Sequence, residues 1–210
     1  MPSSPASPLA PRAGETLLTG WGRTAPSTAT VERVTSVADV QEAVAKATSR
    51  GLLARGLGRS YGDAAQSGGA TVLDLAALAQ IDLDREAGTV TVGAGVSLDA
   101  LLKVIVPQGF FVPVTPGTRM VTVGGAIAAD VHGKNHHVEG TFGSHVSALT
   151  LIDGRGVEHR LGPEQESASF WATVGGMGLT GVMTEATFDL IPISSSLVSV
   201  DTDRTADLDD

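Results

Sequence analysis

The sequence predicts an α+β fold in two parts: a small parallel β/α unit over about residues 16–80, and a larger antiparallel sheet with helices over 81–193. Three observations point to it. Between Val31 and Leu75 the order is strand, helix, strand, glycine loop, strand, the pattern of a parallel βαβ unit. From Gly88 onward short alternating strands come with a strong hairpin signal at Asp153-Gly154-Arg155-Gly156, and helices are inserted between them, which is the pattern of an antiparallel α+β sheet. The 26 glycines show no period and gather in loops around Gly58, Gly95, Gly117, Gly125 and Gly176. Such clustering serves tight turns and close ligand approach rather than a repeat or a disordered chain.

Composition narrows the function. The chain has 210 residues, 42% hydrophobic but only 4% aromatic, so the core is built from Val, Leu, Ile and Ala. The net charge of −9 leaves no basic face for nucleic acid or an anionic membrane. It also means that any phosphate is held mainly by backbone N–H groups, which glycine loops supply. The chain has no cysteine, which excludes disulfides, thiolate catalysis, cysteinyl zinc sites and a cysteinyl-flavin bond. No run of about 18 apolar residues offers an integral membrane segment. Residues 1–15, rich in Pro and Ser, read as a disordered leader without the apolar stretch of a signal peptide.

The elements follow in order. Trp21-Gly22-Arg23 is an expected anchor for the leader. Val31–Val34 is a short strand. Ser36 and Asp39 form a capping box, and Val37, Val40, Ala43, Val44 and Ala47 lie at helical spacing before Gly51. Leu52–Arg55 is a strand running into Gly56-Leu57-Gly58-Arg59-Ser60-Tyr61-Gly62-Asp63, and Thr71–Leu75 is the next strand. The loop is not a nicotinamide fingerprint: the third glycine, Gly62, comes one residue late for G-x-G-x-x-G, and a strand follows rather than a helix. Gly88–Gly93 is a strand, and Ser97 caps a helix carrying Leu98, Leu101, Leu102 and Ile105. His145–Asp153 and Gly156–Leu161 form the hairpin, Pro163–Trp171 a short helix, and Val182–Leu190 a half-buried strand. Residues 194–210 are an acidic tail.

The chemistry gathers in Phe111–His137. Pro113-Val114-Thr115-Pro116-Gly117-Thr118 is a stiff turn. Val121–Asp130, made of small and β-branched residues, is a tight loop entering a short helix. His132-Gly133-Lys134-Asn135-His136-His137 is a polar cluster. A bound anion or cofactor with chemistry beside it fits this order, since glycine lets N–H groups approach a phosphate or ring and a helix start offers free donors. A Gly/Pro-rich loop before a buried helix fits it too. Adjacent histidines diverge poorly onto one ion, so His136 and His137 do not make a metal site. Ser60 lacks a His/Asp pattern for a hydrolase triad. Trp171 reads as core, and His145 and His159 as structural.

Taken together, GLGRSYGD, AGVSLDALL, PVTPGTRMVTVGGAIAADVHGKNHH, GTFGSHV and FWATVGGMGLTGV resemble the FAD-binding region of vanillyl-alcohol-oxidase (PCMH-type) flavoproteins over roughly residues 17–200. The HGKNHH run with the WATVGG-x-GLTG loop is the specific part. It is similar to members that oxidise a polyprenyl-phosphate ribose to its 2′-keto form in cell-wall arabinan precursor synthesis.

The resemblance implies a two-part fold with FAD extended between the parts. Gly58, Arg59, Ser60, Tyr61 and Gly62 would wrap the pyrophosphate. Pro116, Gly117, Thr118, Thr122, Gly124, Gly125 and Ala128 would line the flavin and ribityl chain. Gly178, Gly181 and Val182 would hold the adenosine side. His132, Lys134 and Tyr61 would face the substrate, with His132 as proton or hydrogen-bond group and Lys134 against the substrate phosphate. Where covalent members carry a histidine in the first loop, this chain has Arg59, so non-covalent FAD is expected.

Further expectations come from the resemblance. The reaction is hydride transfer from a secondary alcohol carbon, giving a ketone. A reductase is a possible class of partner. The setting is cytoplasmic or peripheral at the cell envelope. The chain is expected to reach only the start of a substrate domain at 194–210, which leaves turnover by these residues alone open. A sugar or aldonolactone oxidase on the same flavin fold, an FAD-binding module without turnover, and a non-flavin α/β binding protein are the alternatives.

Overall fold

The computed structural model describes residues 11–207. Most of the leader lies outside them. The first sheet contains β1 (Thr16–Leu18), β2 (Ser27–Arg33), β3 (Leu52–Arg55) and β4 (Thr71–Asp74), in the order β1-β2-β4-β3. The β2, β4 and β3 strands are parallel, with Val31 and Leu53 both opposite Val72. Strand β1 adds an antiparallel edge that the sequence pattern does not mark, pairing Leu17 with Thr28. Helix α1 (Val37–Ala45) crosses between β2 and β3. Its capping box forms as the sequence implies: the Ser36 hydroxyl accepts from the Asp39 N–H at 3.2 Å, and the Asp39 carboxylate accepts from the Ser36 N–H at 3.0 Å. The helix ends at Ala45 rather than continuing toward Gly51; Lys46 is its C-cap.

The second sheet has the order β5-β6-β10-β8-β9, from β5 (Ile81–Asp84), β6 (Thr89–Gly93), β8 (Val146–Ile152), β9 (Glu158–Leu161) and β10 (Val182–Asp189). Every neighbouring pair in it is antiparallel. A small ribbon, β7 (Phe110–Phe111) with β11 (Ile191–Pro192), extends one end. Helices α2 (Leu98–Ile105), α3 (Val123–Ala128), α4 (His136–Glu139) and α5 (Ser167–Thr173) fill the connections. The last sits later than Pro163–Trp171 implies. Trp171 is half exposed rather than core, while its neighbour Phe170 is fully buried.

One buried apolar cluster runs through both sheets. It contains Val34, Val40, Leu73 and Leu75 from the first part and Val90, Leu101, Ile127, Phe142 and Phe188 from the second. Burial of that area is the main force holding the parts together. The Gln41 side chain adds a bridge, donating to the Gly156 carbonyl at 3.0 Å. Among the described residues no helix is long and apolar enough to cross a membrane.

Candidate functional site

Between the sheets lies a cleft of about 420 Å³, within the usual range of a small-molecule site. It is built from three glycine-bearing stretches. The first is the loop after β3: Gly58, Arg59, Ser60, Tyr61 and Gly62 all line the cleft. Gly58 has φ +62°, a conformation that a side chain disfavours. Above all, none of the backbone N–H groups from Gly58 to Gly62 donates to a protein acceptor among the described residues. Five consecutive unpaired amides in a lining loop are what an anion held without cations requires.

The second stretch is the start of α3. Thr122, Gly124, Gly125 and Ala128 line the cleft. Here the structure corrects the expectation of free helix donors. The Val123 N–H donates to the Val96 carbonyl at 2.8 Å and the Gly124 N–H to the Ala94 carbonyl at 2.9 Å. The Gly125 N–H donates to the Thr122 hydroxyl at 3.1 Å. The helix start therefore offers a surface without large side chains, and no anion site. Gly56 lets the first loop meet it: a Cβ there would collide with the Thr122 side chain.

The third stretch hangs from the end of α3. Gly175 and Met177 donate to the Ile127 and Ala128 carbonyls at 3.0 and 2.8 Å. This brings Gly178 and Gly181 to the cleft. The same two residues, with Ala54, also line a second hollow of about 250 Å³, where Val182 is found. The two hollows thus share a wall, and their lining suits an elongated ligand.

The other residues singled out from the sequence lie outside the cleft lining. Pro116, Gly117, Thr118, His132 and Lys134 belong to a turn and a loop that pack on each other. The Asn135 amide donates to the Pro113 carbonyl at 2.9 Å, and Gly133 sits so close to Thr115 that a Cβ would fall 2.9 Å from its carbonyl oxygen. Val131, immediately before His132, does line the cleft. His132 is exposed, with Nδ1 3.2 Å from the Gly133 carbonyl oxygen and its ring edge-on to His136 at 5.1 Å. Lys134 is exposed and makes no hydrogen bond or ion pair among the described residues. Tyr61 is 81% exposed while still lining the cleft. No group of three or more His, Cys, Asp or Glu that could hold a metal exists among the described residues.

The cleft also uses Arg55, which the sequence pattern does not mark. Arg55 lies behind the first loop, donating to the Thr19 and Ala65 carbonyls at 2.8 and 2.7 Å. Burial lowers its pKa, Asp74 opposes that shift, and Arg59 adds to it. Arg59 donates to the Leu57 carbonyl at 2.9 Å and lies 5.2 Å over the Trp21 ring. Its only signal in the sequence is its place in the loop, and that of Arg55 is its position just before the first glycine.

This geometry defines a class: a flavoprotein fold with its cofactor cleft between two sheets. Residues 28–162 match the family model described as FAD binding domain, and the chain belongs to that family. It is 49% identical over 198 residues to decaprenylphosphoryl-β-D-ribose oxidase of Mycolicibacterium smegmatis, covering 92% of this chain and 43% of that protein. Alditol oxidase of a Streptomyces species is 30% identical over 180 residues, 84% of this chain and 42% of that one. Among solved structures, 6-hydroxy-D-nicotine oxidase from Arthrobacter nicotinovorans superposes with a TM-score of 0.71 at 24% identity, over 77% of this chain and 36% of that chain. This last likeness bears on the fold. The chain spans less than half the length of each of these relatives.

The residues present fit FAD. The unpaired amides of the first loop suit a pyrophosphate, the α3 surface gives a flat ring close access, and the hollow beyond Gly178 lengthens the site.

Proposed function

We propose that this chain is the FAD-binding portion of an FAD-dependent alcohol oxidoreductase whose substrate is a polyprenyl-phosphate ribose, oxidised at the 2′ carbon to the ketone. The observation that carries the reading is the pairing of two surfaces: a cleft with free amides and a side-chain-poor helix, and beside it an exposed loop bearing His132 and an unpaired Lys134. The 49% identity to an enzyme named for such a substrate supports it.

Bound FAD would supply the hydride acceptor. The chain's own residues do the rest. Gly58, Arg59, Ser60, Tyr61 and Gly62 hold the pyrophosphate. Thr122, Gly124, Gly125 and Ala128, with the Pro116-Gly117-Thr118 turn, flank the ring and ribityl chain. Gly178, Gly181 and Val182 take the adenosine end. His132 accepts a hydrogen bond or proton from the alcohol, Lys134 meets the substrate phosphate, and Tyr61 closes the same side. With Arg59 on the loop, no histidine there is available to bond the flavin, so FAD is held non-covalently. On this reading residues 16–193 act as the FAD-binding domain, divided near residue 80. The protein works in the cytoplasm or peripherally at the cell envelope, with a reductase as a partner, and a bound flavin, once reduced, would need a separate electron acceptor.

The test is an absorbance spectrum of the chain loaded with FAD, repeated on the supernatant after acid precipitation. Flavin bands that move into the supernatant are expected; flavin retained in the pellet overturns the non-covalent reading. Anaerobic bleaching of the bound flavin by a polyprenyl-phosphate ribose, lost in His132→Ala and Lys134→Ala while FAD remains bound, is the second arm. Bleaching by a free alditol instead would redirect the reading to a sugar oxidase.

A further inference from the structure

We propose that the segment Thr19–Gly22, which lines no part of the cleft, is the positioning element that turns the first glycine loop's amides toward the cofactor. The inference rests on the FAD reading above and goes beyond it, to residues that touch only the back of the loop.

Two backbone hydrogen bonds carry it. The Trp21 N–H donates to the Ser60 carbonyl at 2.7 Å, and the Gly22 N–H donates to the Tyr61 carbonyl at 3.2 Å. There are no cis peptide bonds among the described residues. In a trans peptide unit the C=O and the following N–H point in opposite directions. Fixing the Ser60 carbonyl against Trp21 therefore points the Tyr61 N–H away from Trp21. Fixing the Tyr61 carbonyl against Gly22 does the same for the Gly62 N–H. Ser60, Tyr61 and Gly62 line the cleft and residues 19–22 do not, so away from the segment is toward the site.

The sequence Gly20-Trp21-Gly22 is shaped for this contact. A Cβ on Gly20 would lie 2.6 Å from the Ser60 carbonyl oxygen and would also collide with that of Gly62; on Gly22 it would lie 2.6 Å from the Tyr61 carbonyl oxygen. Side chains at either position would push the segment off the loop. The Arg55 guanidinium ties the same segment to the loop's far end, donating to both Thr19 and Ala65. Trp21 adds a second hold, since Arg59 sits over its ring at 5.2 Å. A cation parked on a half-exposed indole and a single carbonyl is close to the amides it would help when a pyrophosphate arrives. Preorganised donors spare the ligand the entropy of ordering them.

The experiment compares the unsubstituted chain with Gly20→Ala, Trp21→Ala and Trp21→Phe. FAD, ADP and riboflavin are titrated into each, and the ³¹P resonances of bound ADP are recorded. Gly20→Ala is expected to weaken FAD and ADP about tenfold and to shift the ³¹P resonances, with riboflavin binding changed less than twofold. Trp21→Ala is expected to weaken ADP about threefold, and Trp21→Phe to recover it, because the backbone amide is present in both and only the Phe variant restores an aromatic face under Arg59.

Equal weakening of all three ligands by Gly20→Ala would show a general loss of structure and overturn the proposal, as would unchanged ADP affinity and ³¹P shifts. If Gly20→Ala does not fold, Gly22→Ala, whose Cβ would lie 2.6 Å from the Tyr61 carbonyl oxygen, takes its place, and unchanged ADP affinity there overturns the proposal. An unsubstituted chain that binds ADP but not FAD would sink the flavin reading and leave the ADP arm to judge the positioning role. One that binds neither would overturn both.

Discussion

The loop at Gly58–Gly62 and the helix start at Val123–Gly125 border the same cleft and treat their backbone amides in opposite ways. In the loop, none of the amides has a protein acceptor among the described residues, and two of the carbonyls are held from behind by Trp21 and Gly22. At the helix start, the amides of Val123, Gly124 and Gly125 are taken by Val96, Ala94 and Thr122. The difference shows two uses of glycine. In the loop it permits an unusual backbone that exposes donors. In the helix it removes bulk: a Cβ on Gly124 would come 2.9 Å from that of Ala94. The first region suits an anion and the second a flat, weakly polar group.

The largest expected effect comes from filling the helix surface. Ala128→Trp places an indole in the cleft where the ring would lie. FAD affinity should fall by about a hundredfold or more, a loss of about 2.7 kcal/mol, while ADP, which does not need that surface, binds within about threefold of the unsubstituted chain. Isothermal titration with both ligands checks it. Parallel loss of ADP would mean that the two regions do not divide the ligand as described.

Gly58→Ala attacks the other region. The residue has φ +62°, and a Cβ would collide with the Arg55 guanidinium. A left-handed backbone costs a side-chain-bearing residue about 1–2 kcal/mol, and displacing Arg55 loosens its hold on Thr19 and Ala65. ADP and FAD affinity should both fall about tenfold and riboflavin affinity little. If riboflavin falls most, the loop does not hold the phosphates.

The element order and several caps were legible in the sequence for local reasons. Ser36 with Asp39, Ser97 before Leu98, and Leu52–Arg55 before a glycine loop are decided by neighbours within a few residues, and the structure forms each of them. What was not legible depends on distant partners. Strand β1 exists because Thr16–Leu18 finds the open edge of β2. Trp21-Gly22 meets carbonyls some forty residues away in the chain, contacts that nothing near it in the sequence announces. The glycine-cushioned helix start looked like a donor site because periodicity cannot show that Ala94 and Val96 arrive to take its amides. Likewise the exposure of Trp171 follows from which side of α5 faces β9 and the core, and its neighbour Phe170 holds the buried position.

A smaller effect separates the helix cap from cofactor binding. Thr122→Ala removes the side chain that accepts from Gly125, and N-cap losses of this kind cost about 1 kcal/mol. Chemical denaturation should show that drop, and Thr122→Ser should recover most of it. The accompanying fall in FAD affinity should be smaller than for Gly58→Ala. A larger one would assign the Thr122 hydroxyl a direct part in holding the ligand.

The smallest effect concerns a third arrangement, the hairpin turn at Asp153–Gly156, where a loop supplies its own anion. The Asp153 carboxylate accepts from the Arg155 and Val157 amides at 2.8 and 3.0 Å and pairs with the Arg155 guanidinium and His159 at 2.9 and 3.1 Å. These partners, the Val157 amide foremost, hold its pKa well below the ordinary carboxylate value against the opposing effect of desolvation. With the folded pKa depressed, the stabilisation is fully present above the unfolded value of about 3.9 and is lost as pH falls through the folded one. The difference in urea midpoint between the unsubstituted chain and Asp153→Asn should therefore be constant from pH 7 to about 5 and shrink only below about 4. A difference that already changes between pH 7 and 5.5 would trace the stabilisation to another titrating group rather than to the amides. The turn would then no longer be the internally satisfied counterpart of the Gly58–Gly62 loop.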